Sequence, residues 1–227
     1  MSSSPREIAS PSPLFIYLHG LSSSPLSKKG LVLGEGLAGH GVGLVAPDLN
    51  VPSFEELTLT AQVEKVEALM DETSPVRPVV LIGSSLGGLV SLLVTNRRPH
   101  RVARLLLVAP AFRVVGARLA RLAGSSLPHW RKAGYIEMTH FSDGLVHRLG
   151  IQLVDDAARY DFDTLKTPVP TLVLHGTRDE VIPLRFVERW VTERAGVRLV
   201  TLPGGDHSLQ TCFDLLWEKS REFLLNG

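Results

Sequence analysis

From Leu14 onward the chain alternates short, almost unbroken apolar runs with longer stretches of helical periodicity. Few folds accommodate that rhythm. The runs are Leu14–His19, Val42–Ala46, Pro78–Gly83, Arg104–Ala109, Thr171–Gly176 and Val197–Leu202. A strand with one wet face alternates apolar with polar; a run apolar at nearly every position has both faces covered. The helix candidates between them are Lys28–Gly39, Glu55–Glu72, Leu86–Arg97, Leu184–Ala195 and Leu209–Leu225. In the second, Leu59, Val63, Val66 and Met70 recur at three- and four-residue steps and make one buried stripe. The expected fold class is α/β: a mostly parallel sheet of about six strands with helices on both faces.

One segment departs from the rhythm. From Ala111 to about Asp163 no convincing strand is legible, only helical pattern punctuated by glycines and Pro128. A structureless loop of that length is implausible in a compact domain, so residues 111–163 are expected to form a small helical cap insertion over the sheet. The plainer alternative is extra packing helices with no part in substrate access. Residues 1–13, rich in Ser and Pro, read as a flexible lead-in, leaving 14–227 as one domain.

With 227 residues there is room for one domain with a substantial core. A net charge of +1 makes no case for a nucleic-acid partner. The single cysteine, Cys212, cannot form an internal disulfide and needs no oxidising compartment. No apolar stretch approaches a membrane-span length, and the expected location is cytoplasmic. Oligomeric state is not legible.

The chemistry starts at Gly83-Ser84-Ser85-Leu86-Gly87, a G-x-S-x-G pattern with an apolar run before it and a helical run directly after. That setting suits a nucleophile elbow, where serine sits on a strained strand-to-helix turn and flanking glycines leave room for close packing. Only Ser85 fits the frame, since Ser84 would need glycines where Ile82 and Leu86 stand.

A serine hydroxyl needs a base, and the base needs an orienting acid. In this architecture they follow in the order Ser, acid, His, each just past a later strand. Asp179 follows the run Thr171–Gly176, and His207 follows Val197–Leu202. Of the eight histidines only His207 lies in the loop after the last strand. His19 and His175 close strands of their own and read as structural; His129, His140 and His147 belong to the insertion. Glu180 neighbours Asp179 and is the rival acid, Asp206 is too near His207 to orient it, and Asp155 and Asp156 fall in the insertion.

Two backbone N–H groups aimed at a developing oxyanion complete such a site. Leu86, after the nucleophile, supplies one. Leu21, in the His19-Gly20-Leu21 turn after the first strand, is the candidate for the other. No His, Cys or carboxylate spacing resembles a metal site, so neither a metal nor another cofactor is expected.

These stretches resemble the α/β-hydrolase superfamily. The nearest likeness is to small bacterial esterases with a Y-L-H-G…S-S-P opening, here Tyr17-Leu18-His19-Gly20-Leu21-Ser22-Ser23-Ser24-Pro25, and a G-S-S-L-G-G elbow, here Gly83 to Gly88. Gly176-Thr177-Arg178-Asp179-Glu180-Val181 is similar to the acid motif, and Gly204-Gly205-Asp206-His207 to the histidine motif. Leu21 stands where the family usually has Phe. The resemblance implies cofactor-free hydrolysis of short- to medium-chain carboxylic esters or thioesters, with a small-molecule acyl substrate. A thioesterase, an amidase or peptidase, and a carbon–carbon hydrolase would use the same triad. A catalytically silent binding module is the alternative from another class.

Two expectations concern the substrate. Phe112, Leu119, Leu122, Trp130 and Phe141 are candidates for lining an acyl pocket, or for packing the insertion internally. From Thr73 to Ile136 there is no acid, but ten bases: Arg77, Arg97, Arg98, Arg101, Arg104, Arg113, Arg118, Arg121, Arg131 and Lys132. Those in the insertion would attract anionic substrates if they rim the site; otherwise they are solvated surface.

Overall fold

The computed structural model describes residues 11–112 and 114–226. Six strands among them form one sheet: β1 (Leu14–Leu18), β2 (Leu44–Val45), β3 (Val79–Ser84), β4 (Val102–Val108), β7 (Thr171–Gly176) and β8 (Val197–Leu202). They run in the order β2-β1-β3-β4-β7-β8, and every pairing is parallel. The helices α1 (Lys28–Ala38), α2 (Leu59–Asp71), α3 (Leu86–Arg97), α7 (Leu184–Thr192) and α8 (Phe213–Leu225) connect or flank them.

Burial explains why the strands read as continuous apolar runs. On β1, Leu14, Ile16 and Leu18 enter one core with α2, α3 and α7, while Phe15 and Tyr17 enter the other with α1 and α8. On β3, Val79 and Leu81 face the first core, Val80 and Ile82 the second. Successive side chains point to opposite faces, and both faces are dry, so no position on these central strands favours a polar residue.

Element ends follow local chemistry. α2 starts at Leu59 rather than Glu55, because Thr58 is extended and its hydroxyl accepts the Ala61 N–H as an N-cap. α8 starts at Phe213 after a 3₁₀ turn, Gln210–Cys212. β2 keeps two residues of the expected five, a short edge strand. Much of the Ser/Pro-rich lead-in, residues 1–10, lies outside the described residues; Ser12 and Pro13 are tied down by their carbonyls, which accept from Arg77.

The segment from Ala111 to Asp163 differs from an all-helical insertion. It holds α4 (Ala117–Leu122), α5 (Leu127–Ala133) and α6 (Gln152–Ala157), and also an antiparallel hairpin of β5 (Tyr135–Thr139) and β6 (Val146–Gly150). Its turn needs Gly144, at φ 72°. The five expected lining residues scatter. Trp130 is fully buried, and its indole N–H donates to the Leu149 carbonyl at 3.1 Å; Leu119 is buried in the same core. Leu122 is exposed, and Phe141 is 81% exposed on the hairpin turn. Phe112 lines a cleft between the chain after β4 and α7. Trp130 therefore joins α5 to the hairpin. Trp130→Ala should lower stability by about 3–5 kcal/mol in a denaturant titration, with little change in chain-length preference.

Candidate active site

In a parallel sheet, ligands collect at the carboxyl ends of the strands where the strand order reverses. Here the chain steps from β1 outward to β2, then returns to the other side of β1 to lay down β3. The reversal lies between β1 and β3, and the two loops at its top carry Gly20-Leu21 and Ser85.

Ser85 sits between β3 and α3 at φ 53°, a conformation that side chains other than glycine rarely adopt. Close packing forces the turn. A Cβ on Gly83 would collide with the Ser91 hydroxyl and the Gly87 carbonyl, and one on Gly87 would run into the Leu18 carbonyl. A Cβ on Gly20 would lie 3.0 Å from the Ser85 Cβ. The β1 loop thus passes directly beside the serine.

His207 Nε2 lies 3.0 Å from Ser85 Oγ, and its Nδ1 lies 2.8 Å from Asp179 Oδ2. The Asp179 carboxylate is buried, and its Oδ1 accepts the Ile182 N–H at 2.7 Å. Such a buried, anchored carboxylate holds the imidazole with Nδ1 protonated and Nε2 free to accept a proton. The three residues stand 94 and 28 positions apart in sequence, 85 to 179 to 207, and one hydrogen-bonded chain links them.

None of the rivals joins this hydrogen-bonded chain, although His175 Nε2 lies 3.5 Å from Asp179 Oδ2. Glu180 is exposed. Asp206 closes its own turn, accepting from the Ser208 hydroxyl and the Leu209 N–H. His19 is buried; its Nδ1 donates to the Gly20 carbonyl while its Nε2 accepts the Leu49 N–H at 3.0 Å. Burial lowers its pKa, which keeps it neutral and suited to both bonds. His175 is fully buried and bonds the Ile182 carbonyl through Nε2 at 2.8 Å. It braces the acid loop from below, and burial lowers its pKa too. His140 and His147 stay on the hairpin, next to Ser142 and Asp143 respectively; Asp155 and Asp156 pair with Arg131 and Arg159.

Leu21 and Leu86 stand on the two loops flanking Ser85, and Leu86 opens α3. Among the described residues neither backbone N–H is spent on another backbone carbonyl. The first N–H groups of a helix lack intrahelical partners, and the helix dipole is positive there. The hairpin reaches this corner as well, since the Phe141 N–H donates to the Ser22 carbonyl at 2.8 Å.

Sequence reading missed Lys29. Its ammonium donates to the backbone carbonyl of His207 at 2.9 Å and tethers the loop that carries the imidazole. Burial lowers its pKa to about 8, against the opposing pull of Asp179 and Asp206. Nothing in the pattern around Lys28-Lys29 marks it, because the partner is a main-chain oxygen far along the chain. A lysine normally titrates at 10.5. Between pH 8 and 10.5 the unfolded chain therefore keeps a proton that the folded chain has released, and stability from this group rises with pH across that window. Lys29→Met should remove that rise when chemical denaturation is compared at the two ends of the window.

Residues 14–221 match the family described as "Uncharacterised protein family (UPF0227)". The chain belongs to this family. It is 26% identical over 202 residues to a pimeloyl-[acyl-carrier protein] methyl ester esterase of Neisseria meningitidis, covering 76% of this chain and 74% of the relative. It is 24% identical over 216 residues to the bovine (Bos taurus) mitochondrial palmitoyl-protein thioesterase ABHD10, covering 90% and 70%. Among solved structures, Est1E from Butyrivibrio proteoclasticus, bound to ferulic acid, superposes with a TM-score of 0.82 at 22% identity, covering 99% of this chain and 92% of that one. This UPF0227 member has the α/β-hydrolase fold and is an enzyme. Among its described residues no helix is long and apolar enough to cross a membrane.

Proposed function

We infer that the protein is a serine esterase that hydrolyses carboxylic esters of short- to medium-chain acyl groups through an acyl-enzyme. The observation that carries this reading is the continuous chain from Ser85 Oγ through His207 to the buried Asp179 carboxylate. In the proposed mechanism His207 takes the Ser85 proton as Oγ attacks the ester carbonyl. The negative oxygen that forms is held by the N–H groups of Leu21 and Leu86, at the positive end of α3. Collapse of this intermediate expels the alcohol, which takes the proton from His207 Nε2. A water, deprotonated by the same nitrogen, then releases the acid and restores Ser85. Every proton transfer passes through His207, and no cofactor enters the scheme.

Thioester hydrolysis is the second reading. A thioesterase stands among the similar proteins, and a thiolate leaves from the same intermediate without changing any residue's part. In either reading residues 111–163 serve as the cap, its hairpin anchored to the loop of Leu21 through Ser22. A cytoplasmic setting suits Cys212, which is a buried free thiol. The test is a fluorophosphonate probe, followed by paired acyl esters and thioesters of increasing chain length. Labelling that maps to Ser85, with turnover of the ester series, is expected; an unlabelled Ser85 in folded protein sinks the reading.

A further inference from the structure

A cleft of about 220 Å³ is walled by the chain after β4 on one side and α7 on the other. Three of its lining residues are aromatic. Phe112 and Trp190 are stacked with ring centroids 4.1 Å apart and planes 21° from parallel, and Phe186, one helical turn before Trp190 on α7, is 48% exposed. Ile182 and Val114 add buried apolar wall. Two backbone bonds tie both walls to the catalytic candidates. The N–H of Ala111, immediately before Phe112, donates to the Ser85 carbonyl at 3.0 Å, and the Ile182 N–H donates to Asp179 Oδ1.

Five charged residues line the cleft, with Arg118, Arg189 and Arg194 set against Asp163 and Glu193. Arg118 lies along it, with its guanidinium 5.7 Å from the centre of the Phe186 ring. It gives two N–H groups to a single neutral oxygen, the Val181 carbonyl, and no described carboxylate pairs with it. Arg189, by contrast, is paired with Glu193 at 3.1 Å. The other bases of the acid-free stretch are spent elsewhere or face solvent. Arg97, Arg98 and Arg101 pair with Glu67 or Asp71, and Arg104 bonds carbonyls at the end of α8. Arg131 pairs with Asp155, Arg121 and Lys132 are exposed, and Arg113 lies outside the described residues. An anionic rim partner for the whole stretch is therefore not what this structure offers; Arg118 at one aromatic cleft is, with the Arg185 guanidinium also 4.9 Å from the centre of the Phe186 ring.

We propose that this cleft is the specificity pocket of the enzyme, and that it takes a flat aromatic group of the ester substrate, with Arg118 favouring a negatively charged substituent on that ring. The proposal rests on the esterase reading. A cavity of about 150 Å³ holds a benzene ring, so this one accommodates a single ring with a short linker. Rings bind rings by offset stacking or edge contact, and Phe186, half-exposed in the cleft, is the ring placed to offer such a contact. A guanidinium beside an aromatic wall adds attraction for a carboxylate or phenolate through charge and hydrogen bonding.

The test compares esters that share their reactive part: a butanoyl ester, the same ester carrying a phenyl group on the acyl or the alcohol side, and each phenyl ester with a ring carboxylate. In at least one of the two series kcat/KM should rise about tenfold from butanoyl to phenyl, and again from phenyl to carboxyphenyl. Phe186→Ala, a substitution at a half-exposed position, should erase the first step. Arg118→Met should erase only the second. Equal kcat/KM for butanoyl and phenyl esters in both series, or a first step that survives Phe186→Ala, overturns the pocket while leaving the esterase reading intact. If no ester is turned over and the fluorophosphonate probe leaves Ser85 unlabelled, the esterase reading itself fails.

Discussion

Ser85→Ala should lower kcat roughly 10⁴- to 10⁶-fold, with the fold and thermal transition close to those of the parent. The size of the effect follows from covalent catalysis. Without Oγ there is no acyl-enzyme, and the remaining machinery can only polarise a bound ester for attack by water. The variant keeps its Cβ, so the tight packing against Gly20 is undisturbed and the strained turn at φ 53° is retained. A lost signal would therefore report chemistry and not unfolding. Single-turnover kinetics with a chromogenic ester give the clearest readout, because the burst of released alcohol should vanish along with the steady state. Retention of more than a few per cent of parental activity would mean that another group performs the attack.

Asp179→Asn should cost roughly 10³- to 10⁴-fold in kcat at neutral pH, although it changes one atom type and almost no volume. The carboxylate accepts from two donors, the Ile182 N–H at Oδ1 and His207 Nδ1 at Oδ2. The amide oxygen of asparagine can serve the Ile182 N–H, which places its NH₂ against His207 Nδ1. That nitrogen must then accept, the proton moves to Nε2, and Nε2 can no longer take a proton from Ser85. Binding should be nearly unaffected, so the loss should appear in kcat with KM within a few-fold of the parent. Near-parental turnover would transfer the orienting role to another acid. Glu180, the neighbour in sequence, is exposed and lies outside the hydrogen-bonded chain.

The distance between sequence and structure differs from one element to the next. The six strands were legible because each central strand is apolar on two faces, and α3 because it follows a glycine-flanked serine without a gap. The hairpin β5–β6 was hidden. Its strands alternate exposed with covered positions, they carry Glu137, His147 and Arg148, and the glycines around them read as breaks between helices. The signal was present in the alternation of Tyr-Ile-Glu-Met-Thr followed by a turn containing Gly144, but a five-residue strand on an edge leaves a weak imprint. Trp130 shows the complementary difficulty. A large aromatic residue in an insertion looks the same in sequence whether it meets a ligand or a neighbouring helix, and its burial together with the Leu149 carbonyl decides for the neighbour.

The order of elements and the local turns follow from residues close together in the chain. Hydrophobic periodicity, helix caps and the glycines that flank Ser85 act over a few residues, and their consequences can be read where they stand. The sequence also nominated Ser85, Asp179 and His207, since each follows an apolar run at the end where a parallel sheet gathers its loops. Other features depend on residues distant in the chain meeting in space. Lys29 reaching the His207 carbonyl, Arg118 lying beside Phe186, and Phe112 stacking on Trp190 are of this kind. So is the pairing of Arg97, Arg98 and Arg101 with Glu67 and Asp71, which turns part of an acid-free basic stretch into an ordinary ion-paired surface. Charge and ring contacts act over a few ångströms whatever the separation in sequence, so only the packed fold reveals which of them are made.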